Sequence, residues 1–142
     1  MEFAASWTAL EDVMPGSGEL IYYKESHRDP EFLFGGQYKW NFPGSTDLGA
    51  FYDSLNDAAA RHKDTRGILR ASKGDVLIWS ADLTHGGGEI DDSSKTRQSI
   101  VAHYSPRNVY PMYRHYGGAS ETQDYGNGRL GCFSKKYAWK SG

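Results

Sequence analysis

His85 follows an apolar run, Val76-Leu77-Ile78-Trp79, and is itself followed at once by Gly86-Gly87-Gly88. Arg97 stands 12 positions further on, where a second apolar run, Gln98 to Tyr104, begins. A neutral imidazole at the edge of a core is a good ligand for iron or another first-row metal. Three glycines beside it remove the side chains that would hold a ligand or a second backbone away. The Arg97 guanidinium is a planar fork that grips a carboxylate with two parallel hydrogen bonds. A metal ligand and an anion-binding cation in one pocket suit a small oxo acid that chelates the metal with one end and is held by its far carboxylate.

Each of these residues also has a plainer role open to it. Arg97 can pair on the surface with Glu89, Asp91 or Asp92. His103 alternates with Val101 on its strand and is expected to be a satisfied core histidine. His62 ends a helix, where the C-terminal dipole favours it for stability alone. His115 carries no signal. Trp79 is expected in the core, Asp75 in a turn, and Tyr22, Tyr23 and Tyr38 in aromatic packing. Nucleophilic catalysis finds no support: Cys132 has no evident histidine partner, and the chain has neither a Gly-x-Ser-x-Gly elbow nor a P-loop.

The elements that must position His85 and Arg97 are mostly strands. Phe3 to Leu10 and Glu19 to Tyr23 read as a hairpin-like pair joined by a long connection through Pro15-Gly16-Ser17-Gly18. Ser26 to Gly44 reads as an irregular, aromatic-bearing excursion. Ser45-Thr46-Asp47 offers N-cap chemistry, and Leu48, Phe51, Tyr52, Leu55, Ala58 and Ala59 recur at helical spacing, which predicts one helix over 47–61. Gly67 to Arg70 is a short strand. Ala71 to Gly74 is a turn. Asp75 to Ser80 is a buried strand, with Gln98 to Tyr104 as its expected antiparallel companion. The tail from Pro106 to Gly142 reads as coil with short strands.

Composition bounds the answer. A length of 142 residues fits one domain, 1–142, and 38% hydrophobic with 14% aromatic content supplies a core. Sixteen basic against 18 acidic residues leave a net charge of -2, so there is no electrostatic footprint for nucleic acid or an anionic membrane. No apolar run is long enough for a spanning helix. Cys132 is the single cysteine, so no internal disulfide forms, which fits a cytoplasmic setting.

The motifs Gly74-Asp75-Val76-Leu77-Ile78-Trp79, His85-Gly86-Gly87 and Thr96-Arg97-Gln98-Ser99, with Trp7-Thr8-Ala9-Leu10-Glu11-Asp12 and Gly18-Glu19-Leu20…Ser26-His27 before them, resemble the phytanoyl-CoA dioxygenase family of Fe(II)/2-oxoglutarate oxygenases. The resemblance covers most of residues 5–106. It implies a mainly β fold, a double-stranded β-helix or jelly roll, with a 2-His-1-carboxylate metal triad. It implies Fe(II) as cofactor, 2-oxoglutarate as co-substrate, and a small-molecule or lipid-like substrate that is hydroxylated. His85 matches the distal metal histidine, Arg97 the arginine for the far carboxylate of 2-oxoglutarate, and Trp7 a strand position lining the co-substrate pocket.

In that family the proximal His-x-Asp pair lies upstream of the Trp7 strand, and Met1 to Ser6 contain neither residue. The expectation is therefore a jelly roll incomplete at its N-terminal side, the C-terminal part of a dioxygenase domain. His27-Arg28-Asp29 is literally a His-x-Asp, but it matches a loop that follows the Trp7 strand. The alternative is a non-catalytic jelly-roll module, completed as a homo-oligomer through open strand edges.

Overall fold

The structure, a computed structural model, describes residues 3–37, 39, 46–106, 120–127 and 130–134. Tyr38, Ser45 and His115 lie outside the described residues. The chain divides into two compact units, Phe3–Tyr104 and Ser105–Gly142.

The first unit is mainly β. It holds β1 (Ala4–Ala9), β2 (Leu20–Tyr23), α1 (Leu48–Arg61), β3 (Arg66–Leu69), β4 (Val76–Ser80), β5 (His85–Gly87) and β6 (Ser99–Tyr104). These strands form two three-stranded antiparallel sheets, ordered β4-β1-β6 and β3-β2-β5. The chain thus crosses from one sheet to the other after β1, β3, β4 and β5, while β2 and β3 pair within one sheet, as in part of a jelly roll. In the second unit β7 (Ser120–Asp124) pairs antiparallel with β8 (Leu130–Ser134).

Two expected pairings differ. β1 and β2 sit in different sheets, so they are not a hairpin. β4 and β6 do not pair with each other; β1 lies between them and bonds both. The physical reason is in β1 itself. Its inner face carries Ala5, Trp7 and Ala9, buried to 2%, 3% and 1% exposure. A strand that buried belongs in the middle of a sheet, where both of its edges are hydrogen-bonded.

The core follows from these registers. Trp7 lies between Leu77 and Val101, and Ala5 between Trp79 and His103, so all six share the inner face of one sheet. Leu20 and Leu69 pair on the other sheet and join the same cluster. The outer face of the first sheet carries Val76, Ile78, Ile100 and Tyr104, all exposed.

The helix forms where its apolar spacing predicts. It docks through Phe51, whose ring lies 5.6 Å from Phe32 and 5.3 Å from Phe34. Asp47 stands at the N-cap position, but its side chain makes no capping bond; Oδ2 accepts a 2.7 Å hydrogen bond from the Gly35 amide instead. That bond ties the helix start to the excursion before it. Among the described residues no helix is long and apolar enough to cross a membrane.

Gly67 has a specific job. It pairs with Tyr22 across β3 and β2, and the Tyr22 ring lies over it, in the space a Cβ would occupy. His85 pairs with Tyr22 from the other side. The glycine therefore lets the ring lean away from His85. We expect Gly67→Ala to cost about 1–3 kcal/mol through this clash, read as a lowered melting temperature, with Gly67→Ala/Tyr22→Ala recovering part of the loss.

Candidate functional site

His85 is placed by the turn before it. Ser26 is buried, and its Oγ donates to the Tyr23 carbonyl at 2.8 Å while accepting from the Thr84 amide at 2.8 Å. The Tyr23 amide in turn donates to the Thr84 carbonyl at 3.0 Å. Thr84 is thus pinned on both its backbone groups, and the next residue, His85, enters β5 at a fixed angle. The imidazole then makes two contacts. Nδ1 lies 2.7 Å from the Leu83 carbonyl oxygen, and the ring meets Trp79 edge-on with centroids 5.0 Å apart. A carbonyl can only accept, so Nδ1 carries a proton, and in the neutral ring Nε2 then keeps its lone pair. Metal-binding histidines are commonly oriented this way, the second nitrogen donating to a backbone carbonyl.

Arg97 lies just ahead of β6, half-buried, with its guanidinium carbon 5.9 Å from the centroid of the Trp7 ring. A Cβ at Gly87 would stand 4.0 Å from its Nη2, so the guanidinium reaches the inner face of β5, two residues from His85. Of the acidic residues that could have neutralised Arg97, Asp92 pairs instead with Lys95 at 3.3 Å. Exposed His85, half-buried Arg97 and buried Trp7 therefore all face the side between the two sheets. Trp79, expected only as core, lies there with them. His103 shares the inner face of β6 but is exposed rather than a buried core histidine.

Beside this space lies a cavity of about 370 Å³ between α1, the loop after Ser26, and the turn leading to His85. Its walls mix Phe32, Phe51 and Leu55 with charged groups. Lys39 bridges Glu31 and Asp82, the latter at 3.1 Å, across one side. Burial alone would lower the Lys39 ammonium, but the bonds to these two carboxylates outweigh it and raise the group above its ordinary value.

Asp29, half of the literal His-x-Asp, is committed elsewhere. Its Oδ1 accepts from His62 Nε2 at 2.9 Å and its Oδ2 from Arg61 Nη2 at 2.8 Å. His62 does end the helix as expected, and it anchors that end to the loop. Sequence spacing gave no sign of this cluster, because its members are 33 positions apart. Among the described residues no group of three His, Cys, Asp or Glu side chains stands together as a metal site.

Comparison with known proteins agrees with this architecture. The family model for phytanoyl-CoA dioxygenase (PhyH) matches residues 1–99. Among solved structures, AviO1 from Streptomyces viridochromogenes Tue57 superposes with a TM-score of 0.56 at 20% identity, over 78% of this chain and 39% of its own. EvdMO1 superposes with a TM-score of 0.51 at 19% identity, over 74% of this chain and 20% of its own. At these identities the likeness is one of fold. The chain spans about two-fifths of the first structure's length and one-fifth of the second's. No curated protein matches the sequence.

The Asp29 cluster has a pH signature. The hydrogen bond from His62, then that from Arg61, holds the Asp29 carboxyl below its ordinary value of 3.8. A depressed folded value stabilises the fold above the unfolded value, and the contribution is lost as pH falls through the folded one. Asp29→Asn is expected to lower the melting temperature at pH 7 and to flatten its fall below pH 4, as followed by circular dichroism.

Proposed function

The chain belongs to the phytanoyl-CoA dioxygenase family, and on that premise we propose that it carries part of the site of an Fe(II)/2-oxoglutarate-dependent hydroxylase. The observation that carries this reading is the His85 imidazole. Its Nδ1 is tied to a backbone carbonyl, its Nε2 is left with a lone pair, and a guanidinium stands on the same inner face. His85 would supply one nitrogen ligand. The described residues fit one corner of a three-ligand iron site rather than the whole of it, so the other ligands are proposed to come from residues beyond those described or from a second chain.

When bound, iron with 2-oxoglutarate and O2 would supply the oxidising power for attack on a C–H bond. The chain's own residues bind and orient. Arg97 takes the far carboxylate of 2-oxoglutarate through its fork. The Trp7 indole beneath it provides an apolar floor and a cation–π contact, which keeps the guanidinium in one place. Ser26 and Thr84 hold the direction of His85. The adjoining cavity is proposed as the substrate pocket. Its volume is in the range for small-molecule sites, and its charged walls favour a small polar substrate over a lipid-like chain.

A second reading is favoured by the strand edges. Among the described residues β5 and β6 each have one hydrogen-bonded neighbour, and an open edge is a template for a further strand. In that reading the chain is a jelly-roll module whose sheets are continued by another copy, and catalysis is not its role.

Anaerobic titration separates the two. Wild-type chain is expected to bind Fe(II) and 2-oxoglutarate together; His85→Ala should abolish the metal signal, and Arg97→Ala should weaken 2-oxoglutarate by roughly tenfold or more, with His27→Ala leaving both unchanged. No binding by wild type at any concentration of chain would reject the oxygenase reading.

A further inference from the structure

Trp79 is 8% exposed, and its indole Nε1 has no hydrogen-bond partner among the described residues. Buried donors in folded proteins are nearly always paired, and an orphan points to a ligand, a water or an ion that completes it. A phenylalanine would fill the same core without that cost, so the N–H is the informative part of the side chain. Ser17 Oγ is a second buried atom without a partner, but it lies in the turn region beside the Ser17–Ile90 bridge. Trp79 lies in the site.

Its surroundings define what would pair with it. The residue is on the inner face of β4, opposite Ala5. Its ring is 5.0 Å from the His85 ring. Arg97 stands further along the same inner face, over Trp7. A dicarboxylate gripped by Arg97 at one end would bring its other carboxylate toward His85, whose ring lies against the Trp79 indole, a buried donor without a partner among the described residues.

We propose that Trp79 Nε1–H donates a hydrogen bond to a carboxylate oxygen of the small oxo acid held between His85 and Arg97. This rests on the reading of the site given above. The bond is charge-assisted, with a carboxylate as acceptor. It would make the tryptophan a binding residue that reads the oxo acid's near end, while Arg97 reads the far end. It also explains why the core tolerates an unpaired donor at a position where any large apolar ring would pack.

The test is a titration of the 15N-labelled full chain with 2-oxoglutarate, with Zn(II) as a diamagnetic substitute for iron. The Trp79 indole signal is identified by its absence in Trp79→Phe. Binding is expected to move that signal and slow its exchange with water, and Trp79→Phe is expected to raise the dissociation constant roughly tenfold or more. Should the smaller ring lower the melting temperature of the variant, the ligand-induced shift in the wild-type signal still decides. Saturable binding with that signal unmoved and with Trp79→Phe binding as tightly as wild type would overturn the proposal and leave the site reading standing. Absence of 2-oxoglutarate binding in wild type, unchanged by Arg97→Ala, would overturn both.

Discussion

The burial of Trp7 on the central strand is the constraint from which the rest follows. An indole that large needs small neighbours along its own strand, and Ala5 and Ala9 provide them. It also needs apolar neighbours across the sheet, which Leu77 and Val101 supply in register. A strand slipped by one residue would turn the indole to the outer face and point Ser6 and Thr8 at the inner core in its place. The pairing of β4 and β6 on either side of β1 is thereby fixed. So are the positions of two candidate site groups: Trp79, the neighbour of His85, belongs to β4, and Arg97 leads into β6 and rests on the Trp7 indole. The apolar core and the candidate site share one residue.

The second sheet answers to this frame through fewer bonds. β5 is only His85–Gly87, and a strand of three residues has little pairing of its own. What holds it is the anchoring just before it. Ser26 and Tyr23 fix Thr84, and Gly88 donates to the Glu19 carbonyl at 2.8 Å on the far side. The glycine run then has a clear physical reason. Gly87 lies against the Arg97 guanidinium, and a Cβ at Gly88 would press on the Glu19 carbonyl at 3.2 Å. A side chain at Gly87 would stand beside the guanidinium on the face that His85 shares.

Much of this was legible in the sequence, and the boundary of legibility is physical. Phe3 to Leu10 and the apolar run of β4 read as strands, and the 3.6-residue spacing marked α1 within one residue of Leu48–Arg61. The types and order of His85, the glycines and Arg97 suggested shared chemistry before any geometry was known. Pairing was not legible, because alternation shows which residues face inward and not which strand lies alongside. The jelly-roll order, with β1 between β4 and β6, is set by burial of whole strands. The Asp29–His62–Arg61 cluster was hidden for a related reason: it joins a loop to a helix end through side chains with no periodic relation. Asp47 shows the same limit in miniature. Its position was right for a cap, yet a nearby free amide at Gly35 offered the carboxylate a better partner.

The strength of the candidate site depends on how dry it is. Val101 and His103 lie on the inner face yet are exposed, Val101 by 48%. The space between the sheets is therefore open along β6, among the described residues, at the same side where Arg97 crosses toward β5. A guanidinium over an aromatic ring gains about 0.5–1 kcal/mol when exposed and about 2 kcal/mol or more when desolvated. A hydrogen bond from a buried indole strengthens in the same direction. Both interactions would tighten together as water leaves that side, whether through a strand added at the edge of β5 or β6 or through a bound molecule. Under the proposed function, affinity and closure would be coupled through one opening: a ligand filling the space would dry the groups that hold it, and a partner covering the edge would strengthen the same groups before the ligand arrived.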